Sequence, residues 1–398
     1  MFYVNHIYKM ENPIKDYPWG SHTAINEFYN ISNINDQPQA EMWMGCHPNG
    51  SSQLIDAENN KINIDDFIKQ APETVLGDAF NKFGELPFLF KVLAADKPLS
   101  IQVHPSKIRA EEGCAAENLA GIPVSSPNRN FKDPNHKPEL VFAVTPFNAL
   151  NGFRPFNDIV ELFNGLVLAP LQNEIAGFKQ SPSGDTLRVL FEALLILEGE
   201  AKKAAIAELL TYAANQTSLV FETIKQLAAM YPDDMGIFSP LLLNVVKLNP
   251  GEAMFLYAET PHAYLQGLAL EVMANSDNVL RAGLTPKYID IDALISNIRF
   301  DVTEPENILM QPEVSGNQAE YPIPVQDFSF SILTNESSLN ENIHMTSASV
   351  LFCEHGQFEV ACAQNAVTVE KGESVFVPAS ASAISVTGSG RVMWVSST

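Results

Sequence analysis

The hydrophobic period of this chain changes twice. Up to about residue 155, apolar residues come in short runs cut by Pro, Gly and Asn, as in "AEMWMG", "LPFLFKVLAA", "LSIQVHP" and "PELVFAVTPFNAL". Such runs suit pleated strands ended by turns. From about Phe156 to Asp234 they recur every three or four residues, in "DTLRVLFEALLILEGEAKKAAIAELLTYAANQ" and "LVFETIKQLAAMY", which is helical spacing. From Leu241 the short runs return and continue to Thr398. A mainly β fold with a helical insertion is therefore expected. One β unit would take residues 1–155 plus 240–311, the helical unit 156–239 and a second β unit 312–398.

The two β units carry a weak repeat. "NPGEAMFLYAETPHAY" (Asn249 to Tyr264) resembles "EKGESVFVPASASAIS" (Glu370 to Ser385), each reading Gly-Glu, a short apolar strand, then small polar residues. Repetition of a β unit predicts two related barrels or sandwiches. Eleven positions after each Gly stand His262 in the first copy and Ala383 in the second, so the second copy lacks a histidine that the first has.

Composition narrows the function. The formal net charge of −23 over 398 residues opposes nucleic acid and anionic membrane surfaces, which need a basic footprint. It leaves open a small anionic substrate held by locally placed cations. No apolar run reaches the ~18 residues of a membrane span. The four cysteines form no CxxC pair and read as reduced thiols. A cytoplasmic protein with a small-molecule substrate and no obligate protein partner is expected.

Polar residues then stand out inside apolar strand texture. Side chains alternate along a strand, so Gln102 and His104 in "LSIQVHPSK" share a face. In "NHKPELVFAV" the same parity groups Lys137, Glu139 and Val141 and sends His136 to the other side, with Pro138 suited to a strand's first residue or an edge. With His262 from a distant segment, Gln102, His104 and Glu139 would make a mixed N/O site for zinc or a similar divalent ion. Taken singly, each has an ordinary reading: a hydrogen-bonded strand histidine, a core amide, a Lys137–Glu139 salt bridge. A further segment, "NSDNVLRAGLTPKY", places Asp277, Asn278, Arg281 and Lys287 close together. It reads either as a solvated loop or as a cationic loop over an anion site.

Six segments, "NPIKDYPWG", "AEMWMGCHPNGSS", "LPFLFKVLAADKPLSIQVHPSK", "DPNHKPELVFA", "TPHAY" and "SDNVLRAGLTPKY", resemble, in order from Asn12 to Tyr288, the signature blocks of the type I mannose-6-phosphate isomerases. Pro18, where a small residue is expected before "WG", is the one departure noted. The resemblance implies a cupin-like jelly-roll catalytic domain, an α-helical inserted domain and a second, degenerate β-barrel at the carboxy terminus. It implies one zinc ion per chain, held by Gln102, His104, Glu139 and His262, and interconversion of mannose 6-phosphate and fructose 6-phosphate. Arg281 would be catalytic, Lys137 would lie beside the metal, and Ser100 and Lys91 would contact the phosphosugar.

The chemistry suits the residues. Proton transfer through an enediol builds negative charge on oxygen, and a metal stabilises it as a Lewis acid. Two neutral imidazoles, one amide and one carboxylate leave a formal +1 on the site, so Gln102 supplies an oxygen without cancelling the electrophile. For the base, Lys137, Glu271, Asp277 and a water on the metal all remain open, with Asp277 carried as a catalytic candidate. A cupin of another reaction type, such as an iron oxygenase, and a non-catalytic sugar-binding cupin are the competing classes.

Overall fold

A computed structural model describes residues 2–397, apart from the side chains of 335–340. Two antiparallel sheets pack face to face, and a helical unit covers the back of the strands that carry the site.

The first sheet runs in the order Leu309–Met310, Ala253–Leu256, Glu139–Ala143, His262–Ala274, Phe88–Ala95, Glu41–Met44, Ile14–Lys15. A branch adds Phe147–Phe153, Leu243–Leu248, Gln102–Val103 and Leu280–Arg281. Alternation sorts its residues onto two faces. Phe88, Phe90, Val92, Leu140, Phe142, Leu270 and Val272 enter a core shared with Phe330, Val350, Phe352 and Val395 of the second sheet. The rings of Phe90 and Phe352 meet edge to face with centroids 6.0 Å apart. The intervening residues Lys91, Glu139 and Glu271 are buried on the other face, beside a small apolar group of Trp43, Leu89 and Met273.

The helical unit comprises Phe156–Phe163, Gln172–Gln180, Gly184–Ile196, Gly199–Ala213 and Leu219–Met230. Ser183 and Thr186 form a reciprocal capping box at the start of Gly184–Ile196, whose Leu187, Leu190, Phe191 and Leu194 are buried at helical spacing. These helices share a core with Ile101, Val103, Ala263, Leu265, Leu280 and Ala282. Those residues alternate with Gln102, His104, His262, Tyr264 and Arg281. The insertion is thus a wall against the reverse side of the ligand-bearing strands.

The repeat is visible in three dimensions. Strand Ala253–Leu256 leads to a strand that starts at His262; strand Ser374–Val377 leads to one that starts at Ala383. Gly251 and Gly372 both sit at positive φ, +94° and +88°. After each, a glutamate folds back onto the turn: Glu252 accepts from the Asn249 N–H at 2.7 Å and Glu373 from the Glu370 N–H at 2.9 Å.

One expectation needs correction. The second β unit is not a closed barrel. Its sheet is an open path of Glu313–Ser315, Gln318–Tyr321, Ser329–His344, Ala383–Ser396, Ser349–Ala361, Ser374–Val377, Tyr8–Glu11, Gln53–Ile55 and Lys61–Asn63, with Ala366–Glu370 at its side. Among the described residues the first sheet is likewise an open path, from Leu309–Met310 to Ile14–Lys15. The sheet of the second unit also takes in strands from the first 63 residues. Ser374–Val377 pairs with Ser349–Ala361 on one side and with Tyr8–Glu11 on the other, matching Tyr8 to Phe376.

Candidate metal centre

Register brings the site together. In the branch of the first sheet, Gln102 stands opposite both His262 and Arg281. Directly opposed residues of antiparallel strands project to the same face, so an amide, an imidazole and a guanidinium share one side. In the main sheet, Lys91 opposes Glu271, and Glu271 opposes Val141. Glu139 is two residues before Val141 and so joins the same side.

Both histidines are oriented by backbone carbonyls. His104 Nδ1 lies 2.6 Å from the carbonyl of Asn278 and His262 Nδ1 2.9 Å from that of Thr260. Each Nδ1 must therefore carry the proton, which leaves each Nε2 a bare acceptor. Both Nε2 atoms turn to Glu139, at 3.3 Å from Oε1 for His104 and 3.5 Å from Oε2 for His262. His104 Nε2 is buried and makes no hydrogen bond in spite of that proximity. One ligand atom from each of His104, Glu139 and His262 lies within 4.8 Å of the other two. A buried lone pair without a donor, facing a carboxylate, suits a cation between them.

The charges agree. Burial and then Lys137 pull His104 down to about 4, keeping the imidazole neutral. Burial works to raise Glu139, but Lys137, 3.0 Å from Oε1, and then His104 hold it well below the usual carboxylate range.

A second buried network adjoins the first. Lys91 Nζ is 2.8 Å from Glu271 Oε2 and 3.6 Å from Glu41 Oε1. The Tyr264 hydroxyl lies between Glu271 Oε1 at 2.8 Å and Glu139 Oε2 at 3.1 Å, linking the two networks. Burial, with Glu139 and Glu41 nearby, raises Glu271 against the pull of Lys91. Burial disfavours the Lys91 charge, yet Glu271 and Glu41 lift it well above the ordinary lysine range.

Three models of known families match the chain. Residues 7–156 match the catalytic domain of phosphomannose isomerase type I, 168–243 its helical insertion domain, and 317–397 the cupin domain of mannose-6-phosphate isomerase. Mannose-6-phosphate isomerase of Salmonella typhimurium is 51% identical over 386 residues, spanning 96% of this chain and 98% of that protein. The chain belongs to the type I phosphomannose isomerase family. The Escherichia coli mannose-6-phosphate isomerase is also 51% identical, with 96% and 98% covered, and the human one is 32% identical, with 94% of each covered. A zinc-bound holo structure of mannose 6-phosphate isomerase superposes with a TM-score of 0.94 at 49% identity, over 98% of this chain and 99% of that one. A structure of the isomerase bound with zinc and yttrium gives 0.93 at 49% identity and the same coverage.

Within this member of the phosphomannose isomerase family, not every expected residue reaches the site. Asp277 does not touch the ligand set: Oδ2 accepts from Asn49 Nδ2 at 2.7 Å and Oδ1 lies 3.5 Å from His47 Nε2. Lys91, expected at the phosphosugar, is enclosed between two carboxylates at 5% exposure, so its charge is already matched. Ser100 is half-buried, two residues before Gln102. Arg281 is half-buried, and no salt bridge to it occurs among the described residues. Burial, then Arg281, then Lys132 push Lys287 down. His136 points away, with Nε2 3.0 Å from both oxygens of Asp327. Glu41, His47 and Tyr264 are not among the residues expected at the site. Glu41 carries a signal, a carboxylate in the apolar run "AEMWMG", and so does Tyr264, which stands two residues after His262 and shares its face.

Proposed function

We propose that this chain interconverts mannose 6-phosphate and fructose 6-phosphate through an enediol, using one zinc ion held by Gln102, His104, Glu139 and His262. The observation that carries this reading is the buried meeting of His104, Glu139 and His262, with the lone pair of His104 Nε2 left without a donor. The zinc-bound relatives support the choice of ion.

When bound, zinc supplies a Lewis acid for charge developing on the substrate oxygens. The chain's residues do the rest. Asn278 and Thr260 hold the two imidazoles with Nε2 inward. Gln102 gives an uncharged oxygen and keeps the site's formal charge at +1. Arg281, opposite Gln102 in register, grips the charged oxygens with a two-pronged donor that lysine lacks. Lys132 and Lys287 provide local positive potential for the phosphate against a net charge of −23. Ser100 offers a hydroxyl on the face of Gln102.

The proton between C2 and C1 falls to Lys137 and Glu271. Lys137 touches Glu139 directly. Glu271 reaches Glu139 through the Tyr264 hydroxyl, and its raised carboxyl makes it a better base near neutrality. Lys91 acts through Glu271, holding it in place. Asp277 is given no step, because His47 and Asn49 occupy it. A cytoplasmic enzyme acting on a small phosphosugar is the setting this implies.

The test is zinc content and coupled detection of fructose 6-phosphate on the purified full chain. One zinc per chain is expected, with activity lost on chelation and restored by zinc. Undiminished turnover of the zinc-stripped chain, or no fructose 6-phosphate from the loaded one, would overturn the reading.

A further inference from the structure

Asn278 is completely buried and bonds in three directions. Its Oδ1 accepts from the backbone N–H of Lys132 at 2.7 Å and of Asp133 at 3.3 Å. Its Nδ2 donates to the carbonyls of Asp133 at 2.7 Å and Asn135 at 2.8 Å. One amide thus closes the turn 132–135, which leads directly into Lys137 and Glu139. The Asn278 carbonyl, meanwhile, faces His104 Nδ1 at 2.6 Å. Three residues later, Arg281 pairs with Gln102.

Neighbours brace the same join. Ser276, 1% exposed, donates to Asp133 Oδ1 at 2.8 Å and to the Asn135 carbonyl at 3.2 Å, and accepts from the Asn278 N–H at 3.2 Å. Asp133 Oδ2 accepts from the Asp277 N–H at 2.8 Å. The orientation of the Asn278 amide is forced, since backbone donors surround its oxygen and carbonyls its nitrogen.

We propose that Asn278 is a positioning residue that locks the turn 132–135 to the loop 275–281, so that His104, Glu139 and Arg281 keep one mutual geometry. This rests on the metal-site reading above. The carbonyl opposite a ligand imidazole fixes its tautomer and ring plane, and its place depends on what holds that carbonyl. Here the holder is the side chain of the same residue. Neither Asn278 nor Ser276 contacts the ligand atoms, so both act through others.

Asn278→Asp is nearly the same shape. It keeps the acceptor toward Lys132 and Asp133 but turns an oxygen onto two carbonyls. Asn278→Ala removes both sets of bonds, and Ser276→Ala removes only a brace. Zinc affinity of the full chain would be measured by competition with a chromophoric chelator, together with kcat, KM and the melting temperature of the zinc-free chain. Asn278→Asp should weaken zinc by ~10–100-fold, the range for losing an outer partner of a ligand, and lower kcat more than KM. Ser276→Ala should move the same way by less. A purely structural role would lower the melting temperature and leave zinc affinity alone, so folded Asn278→Asp and Ser276→Ala chains that both bind zinc within about twofold of wild type would overturn the proposal.

A second readout needs no metal. Nitrogen-15 spectra of the zinc-free wild type should show His104 as the Nδ1–H tautomer, and Asn278→Asp should mix the tautomers. If wild type binds no zinc, the functional reading fails, while the tautomer still decides the lock: an unchanged His104 signal in Asn278→Asp would end it.

Discussion

The Tyr264 hydroxyl donates to Glu271 Oε1 at 2.8 Å, although the two residues are seven apart on one continuous strand, His262–Ala274. On a flat strand they would be about 23 Å apart and on opposite faces. Two local features reconcile this. The pairing with Phe147–Phe153 slips by one residue, since Asn148 opposes Gln266 but Ala149 opposes Tyr264. An extra residue inverts the alternation and bends the strand. Gly267 then takes φ +129° against the Pro146 carbonyl. His262 and Tyr264 on one side of the bend, and Glu271 on the other, can thereby face one space.

Gly267→Ala tests the bend. A Cβ there would meet the Pro146 oxygen at 2.6 Å, in a backbone conformation that side chains rarely adopt. A loss of ~2–4 kcal/mol is expected from strain and displacement together, with a larger loss of activity than of zinc. Urea unfolding reads the first, and a wild-type midpoint would remove the bend from the argument.

Gln102→Glu tests the charge of the ligand set. The variant should hold zinc at least as tightly, yet lose kcat by about tenfold or more, because the formal +1 is cancelled. Metal analysis beside steady-state kinetics checks this. Full activity with full zinc would mean that the uncharged donor is dispensable.

Arg281→Ala should keep zinc and fold and lose ~10²-fold or more in kcat, the scale of one preorganised donor. Arg281→Lys should rescue poorly, since an ammonium cannot reproduce the fork. A lysine variant running at the wild-type rate would reduce Arg281 to a point charge.

His104 gives a pH dependence of stability. Its folded value, about 4, lies below the ordinary histidine value of 6.5. Between these the unfolded chain binds a proton that the folded chain refuses, so stability is present above pH ~6.5 and falls as pH drops toward ~4, by at most ~1.4 kcal/mol per pH unit. Melting of zinc-free protein between pH 7 and 4 should show this slope, and His104→Gln should flatten it. Equal slopes in the two chains would rule His104 out as the source.

The enediol route predicts solvent hydrogen in the product. A base that takes the C2 proton exchanges it with water before returning it to C1. Started from mannose 6-phosphate in deuterated water, the reaction should place deuterium at C1, read by mass spectrometry at early conversion. Complete retention of a C2 label in C1 at every time point would point to hydride shift and exclude both Lys137 and Glu271.

Much of the site was legible because period-2 alternation acts locally. Gln102 with His104, and Lys137 with Glu139 against His136, follow from spacing alone. The contact of Tyr264 with Glu271 was not legible, because it depends on a register slip whose cause lies in the pairing with Phe147–Phe153. Asp277 is the opposite case. It is near the ligands in sequence, but Asn49 and His47, distant in sequence, hold its carboxylate. The helical unit was readable from its 3.6-residue period, and its contact with the backs of the ligand strands required Ile101, Val103 and Ala263 to be seen in one core.

The pairing of Tyr8–Glu11 with Ser374–Val377 bears on how the chain is made. Synthesis at roughly 5–20 residues per second leaves Tyr8–Glu11 with Gln53–Ile55 on one side but without Ser374–Val377 on the other for about 20–70 seconds. One side of that strand therefore waits as an open edge until residues 374–377 emerge. A message cut short before Ser374 would yield a product whose first half has no seam to close, and the ligand-bearing sheet, which shares its core with the missing strands, would be delivered to the cell's proteases half covered.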